Sequence, residues 1–245
     1  NHMPELEKYD MSKFLENCEK MNLTLSTEQQ KQFVRYYELL VEWNTFMNLT
    51  GITEFQEVLQ KHFEDSLAVV KGTDLSAVKS VMDVGTGAGF PGLPLKIAFP
   101  HLKIVLLDSL GKRVKFLNHV IEELQLEDIT AIHGRAEDFA RKEEYREQFD
   151  LVVSRAVANL SSLSEYCIPY TKINGAFISY KSGKIEEELD QAKKSIFLLG
   201  GKLENTLKFQ LEGSDIERSL VIIRKERKTA KKYPRKAGMP AKEPL

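Results

Sequence analysis

The residues best equipped for chemistry stand together at Asp83-Val84-Gly85-Thr86-Gly87-Ala88-Gly89-Phe90-Pro91-Gly92, an acid followed by four glycines. Glycine permits a tight turn and close approach of a ligand to the backbone, and Pro91 suits the first turn of a helix whose N–H groups then face the ligand. Such a loop resembles those that hold a nucleotide-type cofactor, or else is glycine-rich for turn geometry alone, and its spacing tells which kind of cofactor it would suit. The dinucleotide fingerprint GxGxxG requires a third glycine five residues after the first. That position is Phe90, and the glycines fall instead at 85, 87 and 89. Asp108 follows Gly85 by 23 residues. A carboxylate at such a strand end accepts hydrogen bonds from two ribose hydroxyls, or else it caps the helix opening at Gly111 through Ser109. Gly134-Arg135-Ala136-Glu137-Asp138 offers a backbone N–H and a carboxylate to an adenine edge, although acids at a helix start also compensate the helix dipole.

An acid followed by glycines at alternate positions is similar to the E/DxGxGxG loop of class I S-adenosylmethionine methyltransferases. That cofactor lacks a pyrophosphate and asks less anion binding of the helix terminus, so S-adenosylmethionine is favoured over NAD. The methyl acceptor is narrowed by what is missing. Methylation of an exocyclic amine commonly uses a (D/N)PPY loop after the fourth strand, where this chain carries Ser154-Arg155-Ala156-Val157-Ala158. Pyrimidine C5 methylation needs a cysteine nucleophile, yet Cys167 lies in an apolar stretch and Cys18 far upstream. Transfer to a ribose 2′-hydroxyl wants a lysine among carboxylates; Lys181 ends the fifth strand, but no acid follows the fourth. The N7 of guanine carries a free in-plane lone pair and needs no base, so catalysis there reduces to positioning and control of charge. No catalytic base is assigned. Arg155 leaves the fourth strand at the carboxyl edge, where ligands bind in open α/β sheets. It is a candidate to hold the cofactor's methionine carboxylate, the substrate base or a phosphate, or else to pair with Asp83 or Glu137. Arg113 and Arg135 face the same edge, as suits phosphate contact or stacking on a base. His62, His101, His119 and His133 show no metal spacing, and no metal is expected.

The elements that must position these groups read as repeated β-α from about Ser80. Strands are expected at 81–84, 104–107, 129–132, 151–153 and 176–180, with helices at 92–99, 111–125, 135–139, 160–168 and 185–199. Extended segments at 202–211 and 219–224 follow, joined by a turn too short for a crossover helix. The expected fold is an α/β, Rossmann-like, seven-stranded and mostly parallel sheet ending in a β-hairpin, with an N-terminal helical extension. Residues 4–70 form that extension, with Ser26-Thr27-Glu28-Gln29 capping a helix that carries Phe33, Tyr36, Tyr37, Leu40 and Trp43 on one stripe, and Thr53 capping a second. Residues 71–226 form the methyltransferase unit and 227–245 a basic tail.

The 245 residues carry a net charge of −1, which hides nine basic residues and one acid between Arg224 and Lys242. That segment alone is +8 and the remainder −9. Tyr233-Pro234 and Met239-Pro240 interrupt it, so it should be extended, either as a solvated terminus or as a phosphate-attracting arm in which Lys231, Lys232, Arg235 and Lys236 are the RNA-binding candidates. Asn1-His2-Met3 reads as a processing scar. No run approaches the about 20 apolar residues of a membrane span, and no basic-then-apolar leader precedes the helices, so a cytoplasmic protein without membrane contact is expected. The two cysteines form no CxxC pair, which argues against a disulfide framework or a structural zinc.

Asn48-Leu49-Thr50, His62-Phe63-Glu64-Asp65-Ser66, Asp83 to Pro94, Leu107-Asp108-Ser109 with Lys112-Arg113, Gly134-Arg135-Ala136-Glu137, Ser154 to Ala158 and Lys232-Tyr233-Pro234-Arg235-Lys236 together resemble the bacterial glucose-inhibited division protein B (GidB) family. The match covers nearly the whole chain after about Lys13. The resemblance implies a class I fold and S-adenosylmethionine-dependent methylation of N7 of guanine 527 in the 530 loop of 16S rRNA. It implies cofactor contacts from Gly85, Phe90, Ala136, Glu137 and Arg155; Gly87 and Asp108 join them from the loop argument above. Arg135 and Arg155 are the substrate-positioning candidates, the small ribosomal subunit is the expected partner, and the enzyme is expected to act as a monomer. Two readings of other kinds stand beside this one: an rRNA-binding assembly factor that retains a cofactor site, and a small-molecule methyltransferase with an incidental tail. Steep salt dependence of RNA binding separates the last from the others.

Overall fold

The computed structural model describes residues 3–245; Asn1 and His2, part of the expected scar, lie outside the described residues. Two helices open the chain, α1 (Ser12–Lys20) and α2 (Thr27–Asn44). Ser26 and Gln29 form the expected capping box at the start of α2. The next helical run consists of α3 (Phe55–Val58), a π-helical turn at Leu59–Glu64 and α4 (Asp65–Leu67). Glu54, not Thr53, caps α3, because its carboxylate reaches the N–H groups of Gln56 and Glu57. The Thr53 carbonyl instead accepts from the Tyr37 hydroxyl.

Alternation follows as β1 (Ser80–Val84), α5 (Gly92–Ala98), β2 (Lys103–Asp108), α6 (Gly111–Glu123), β3 (Ile129–His133), α7 (Ala136–Phe139), β4 (Phe149–Ser154), α8 (Leu160–Cys167), β5 (Thr171–Ser182), α9 (Glu186–Leu198), β6 (Gly201–Gln210) and β7 (Glu217–Lys225). The strands form one seven-stranded sheet in the order β3-β2-β1-β4-β5-β7-β6. β1 to β5 pair in parallel, while β7 lies antiparallel to both β5 and β6. The expected parallel sheet with a terminal hairpin is thus present.

Alternating side chains of the central strands enter two cores, as they must in a sheet covered on both faces. Val81, Val153 and Ile178 join α1, α2, α5 and α6 on one face, whereas Met82, Val152 and Phe177 join α8 and α9 on the other. The N-terminal helices therefore share a continuous core with the sheet. The topology reverses between β1 and β4, and ligands bind at such switch points beyond the carboxyl ends of the strands. Among the described residues no helix is long and apolar enough to cross a membrane.

The basic tail departs from expectation. It folds back on the second core, where Thr229, Tyr233 and Pro240 are buried, and it closes in a short helix, α10 (Met239–Lys242). Pro240 falls in the first turn, where its missing N–H costs nothing, so the proline read as a helix breaker starts one. Carbonyls of Thr229, Ala230 and Tyr233 accept from Arg146, and that of Pro234 accepts from Arg141.

Within the π-helical turn Glu64 is buried, its Oε1 accepting from Asn17 Nδ2 at 2.6 Å and its Oε2 without a hydrogen-bond partner among the described residues. Burial pushes its carboxyl up to about 7. A folded-state value above the unfolded one means that this group favours folding at low pH and that the contribution is lost as pH rises toward and through 7. Glu64→Gln keeps the neutral form at every pH. It is expected to change stability little near pH 4.5 and to raise it by up to about 3 kcal/mol near pH 8. Thermal melts at the two pH values check this, and an equal shift at both would refute it.

Candidate functional site

Two cavities lie side by side over the switch point and share Ala156 on their common wall. The first, about 330 Å³, is lined by Gly85, Asp108, Gly134, Arg135, Ala136, Glu137, Ala158 and Tyr166 among others. Its floor is the start of the glycine loop, Val84 and Gly85. Gly85 and Gly87 have φ of 70° and 61°, the left-handed region that costs a side chain strain, and a Cβ added at Gly87 would meet no atom within 4 Å. The open space over Gly87 is room for a bound group against the backbone, whereas a Cβ at Gly85 would lie 3.8 Å from that of Ala156.

Asp83 shapes that loop from below. It is fully buried, its Oδ2 accepting from Thr86 Oγ1 at 2.7 Å and from the Gly92 N–H at 2.8 Å. Burial raises its carboxyl to about 7. Pro91 stands just before α5 as its cap residue rather than inside it. Ser154 Oγ donates to the Val84 carbonyl at 2.9 Å and accepts from the Ala156 N–H at 3.2 Å, tying the ends of β1 and β4 together.

Asp108 Oδ2 accepts from the Gly87 N–H at 2.8 Å and Oδ1 from the Leu110 N–H at 3.0 Å. It therefore staples the loop after β1 to the loop after β2, and it makes no cap bond into α6 itself. Each oxygen keeps a second lone pair for a ribose hydroxyl. Glu137, buried at the start of α7, receives the Gly238 N–H from the tail at 2.8 Å on Oε2, with Arg135 at 3.5 Å. The Ala136 carbonyl accepts from the Tyr170 hydroxyl.

Gly85, Asp108, Ala136 and Glu137 are thus brought together, with Gly87 bonded to Asp108. Phe90 and Arg155 stand elsewhere. Phe90 lies under the loop in an aromatic layer, stacked on His62 with ring centres 4.4 Å apart and flanked by Tyr36 and Phe63. Arg155 lies over the Phe90 ring and turns toward the N-terminal helices. Its Nη1 is 3.3 Å from Asp65 Oδ2 and donates to the His62 carbonyl and Ser66 Oγ. The expected structural partners, Asp83 and Glu137, do not pair with it, because Asp65 is carried to the sheet edge by the π-helical turn. His62 is satisfied by Thr50 Oγ1 at 2.7 Å, and burial and the charge of Arg155 lower its pKa to about 4.

The second cavity, about 370 Å³, is lined by Asp65, Arg155, Ala156, Val157, Tyr180, Lys181, Ser182, Glu188 and Arg218. Asp65 is shared between Arg155 and Arg218, whose Nε donates to Oδ1 at 2.8 Å. Lys181 Nζ lies 2.7 Å from both Glu188 Oε2 and the Ala158 carbonyl. The lysine's acid therefore comes from α9, not from the segment after the fourth strand. Asp65, Glu188, Arg218 and Tyr166 carry no motif of their own; His62 and Asp65 were visible only inside the HFEDS stretch.

Of the basic candidates, Arg113 pairs with Asp108 at 3.6 Å and Arg135 with Glu137, both remaining partly exposed. Arg235 is committed to the fully buried Glu165, which removes it as a free cation. Lys231, Lys232 and Lys236 are exposed. Cys18 and Cys167 are buried, and among the described residues no group of three or more metal-ligating side chains gathers.

The chain matches the family model described as rRNA small subunit methyltransferase G (GidB) over residues 29–221. A protein of Lachnoclostridium phytofermentans named ribosomal RNA small subunit methyltransferase G is 53% identical over 236 residues, 96% of this chain and 98% of the relative. The protein of the same name in Clostridium tetani is 50% identical over 228 residues, 93% and 95% of the two chains. In fold, the chain is similar to the O-methyltransferase from Bacillus cereus in complex with SAH, with a TM-score of 0.53 at 16% identity, covering 78% of this chain and 91% of that one.

Proposed function

The chain belongs to the rRNA small subunit methyltransferase G family, and from that premise we propose that it methylates N7 of guanine 527 in the 530 loop of 16S rRNA, acting as a cytoplasmic monomer on the small subunit. It is an S-adenosylmethionine-dependent rRNA methyltransferase; the atom and the nucleotide are the proposal. When bound, the cofactor supplies an electrophilic methyl group on a sulfonium. The open glycine backbone, Asp108 and Glu137 would hold it in the first cavity, and Ala156 marks where that cavity meets the second.

The observation that carries the N7 assignment is the pairing of every charged group on the second cavity's wall. Asp65 is held by two arginines and Lys181 by Glu188, so every carboxylate and amine on this wall has an ion-pair partner that weakens it as a base. N7 has no proton to remove, so a cavity that only positions the guanine is sufficient. N7 methylation leaves the base cationic, and Asp65 and Glu188 offset the three cations beside it. To enter, the base leaves its stack at a cost of a few kcal/mol. Arg135, Lys231, Lys232 and Lys236 are the residues proposed to meet rRNA phosphates.

The test is transfer of labelled methyl to small subunits lacking the modification, followed by borohydride and aniline treatment, which cuts at 7-methylguanosine. One cut in the 530 loop is expected. Label without a cut would move the reaction to another atom, and no label would favour a binding factor that retains the cofactor site.

A further inference from the structure

The second cavity holds a charge pair whose order suits one base. Lys181, at the end of β5, is nearly buried, and its ammonium is fixed by the Ala158 carbonyl and by Glu188 Oε2, each at 2.7 Å. Glu188 Oε2 also accepts from the Leu160 N–H at 2.8 Å. The pair is therefore locked in place by two separate elements, the loop after β4 and the start of α8. Glu188 Oε1 takes no bond from the protein among the described residues, and the Lys181 ammonium has three hydrogens for two partners. A cation with a donor to spare stands directly beside a carboxylate with an oxygen to spare, both on the wall of a cavity that adjoins the cofactor cavity.

Guanine presents along its Watson–Crick edge an acceptor, O6, followed by two donors, N1–H and N2–H. Adenine presents a donor and then an acceptor in the corresponding places, and cytosine and uracil have no N7. Resting on the methyltransferase reading above, we infer that the Lys181–Glu188 pair reads the flipped guanine, with Lys181 donating to O6 and the free Glu188 Oε1 accepting from N1–H and N2–H. Each Asp65 oxygen already faces an arginine, whereas Glu188 Oε1 has no protein partner among the described residues. Gripping the base by this edge leaves the adjoining Hoogsteen edge, with N7, free to face Ala156 and the cofactor cavity. The same contact thus selects guanine and aims its nucleophile. Adenine at this wall would set the locked carboxylate against the lone pair of its N1, and a site built to accept hydrogen bonds rejects such a mismatch.

The test measures methyl transfer to small subunits reconstituted with guanosine or with inosine, which lacks the N2 amine, at the target position. S-adenosylhomocysteine binding and the melting temperature serve as controls for fold and cofactor site. The native enzyme is expected to prefer guanosine to inosine by about 10- to 100-fold, the value of one hydrogen bond to a charged acceptor. Glu188→Gln, close in shape, is expected to slow transfer to guanosine by about 100-fold and to shrink the guanosine preference to within a few-fold, with cofactor binding unchanged. Lys181→Met should slow both substrates equally, because both carry O6. A Glu188→Gln variant that transfers at the native rate, or one that slows while keeping the full guanosine preference, would overturn the assignment and leave the methyltransferase reading intact. If the native enzyme labels an atom other than N7, the reading itself falls and this assignment with it.

Discussion

Asp108→Ala is expected to weaken S-adenosylhomocysteine binding by about three orders of magnitude while the chain remains folded. The side chain is buried at the end of β2 and does two things at once. Its oxygens anchor the Gly87 and Leu110 N–H groups, and their remaining lone pairs are the acceptors available to a ribose. Two hydrogen bonds to a charged acceptor are worth about 1.5–3 kcal/mol each, so their joint loss amounts to a factor between about 10² and 10⁴. Asp108→Asn keeps one acceptor oxygen and should fall between the variant and the native protein. Calorimetric titration with S-adenosylhomocysteine reads both. Native affinity in Asp108→Ala would make this residue a staple of the two loops and nothing more.

Arg235→Ala should produce the largest loss of stability among the tail residues. Its guanidinium meets Glu165 through Nη2 at 2.8 Å and Nε at 3.1 Å, and its backbone N–H adds a third bond at 2.7 Å. Glu165 has no exposed surface, so removing the guanidinium leaves a buried carboxylate with only the backbone donor. Breaking such a pair costs roughly 3 kcal/mol, which lowers the melting temperature of a chain this size by roughly 6–12 °C. Gly238, three residues on, donates to Glu137, and cofactor affinity should fall with it. Replacing Lys231, Lys232 and Lys236 together by alanine should do the reverse: unchanged melting, weaker binding to subunits, and a shallower dependence of that binding on salt. If Arg235→Ala melts with the native protein, the ion pair is not what holds the tail.

Much of this was legible in the chain. The β-α alternation, the hairpin ending and the capping box at Ser26 are local patterns, and each element formed where its pattern lay. The glycine loop, Asp108 and the Ala136-Glu137 pair follow strand ends, so knowing the strands placed them at one edge. What escaped were partners brought in from afar. Arg155 meets Asp65, Arg218 meets the same carboxylate from 153 residues away, and Lys181 meets Glu188 from the following helix. No period or spacing encodes such pairs. The tail failed for a related reason: its charges are conspicuous in sequence, whereas Thr229, Tyr233 and Pro240, which dock it, are not.

The register slip in the last hairpin has a consequence for how molecules of this protein meet one another. β6 pairs Leu203 with Ile223 and Asn205 with Ile222, which leaves Glu204 as an extra residue in the outermost strand, bonded to Arg224. A sheet's outer strand offers unpaired N–H and C=O groups to any neighbour that can lie alongside, and bulges and charges blunt that offer. Here Lys202, Glu204 and Lys208 sit along the rim, and the opposite rim, β3, is only five residues long. Straightening the rim by deleting Glu204 would hand a second copy an unbroken template, and the protein would be expected to self-associate at concentrations where the native chain stays dispersed.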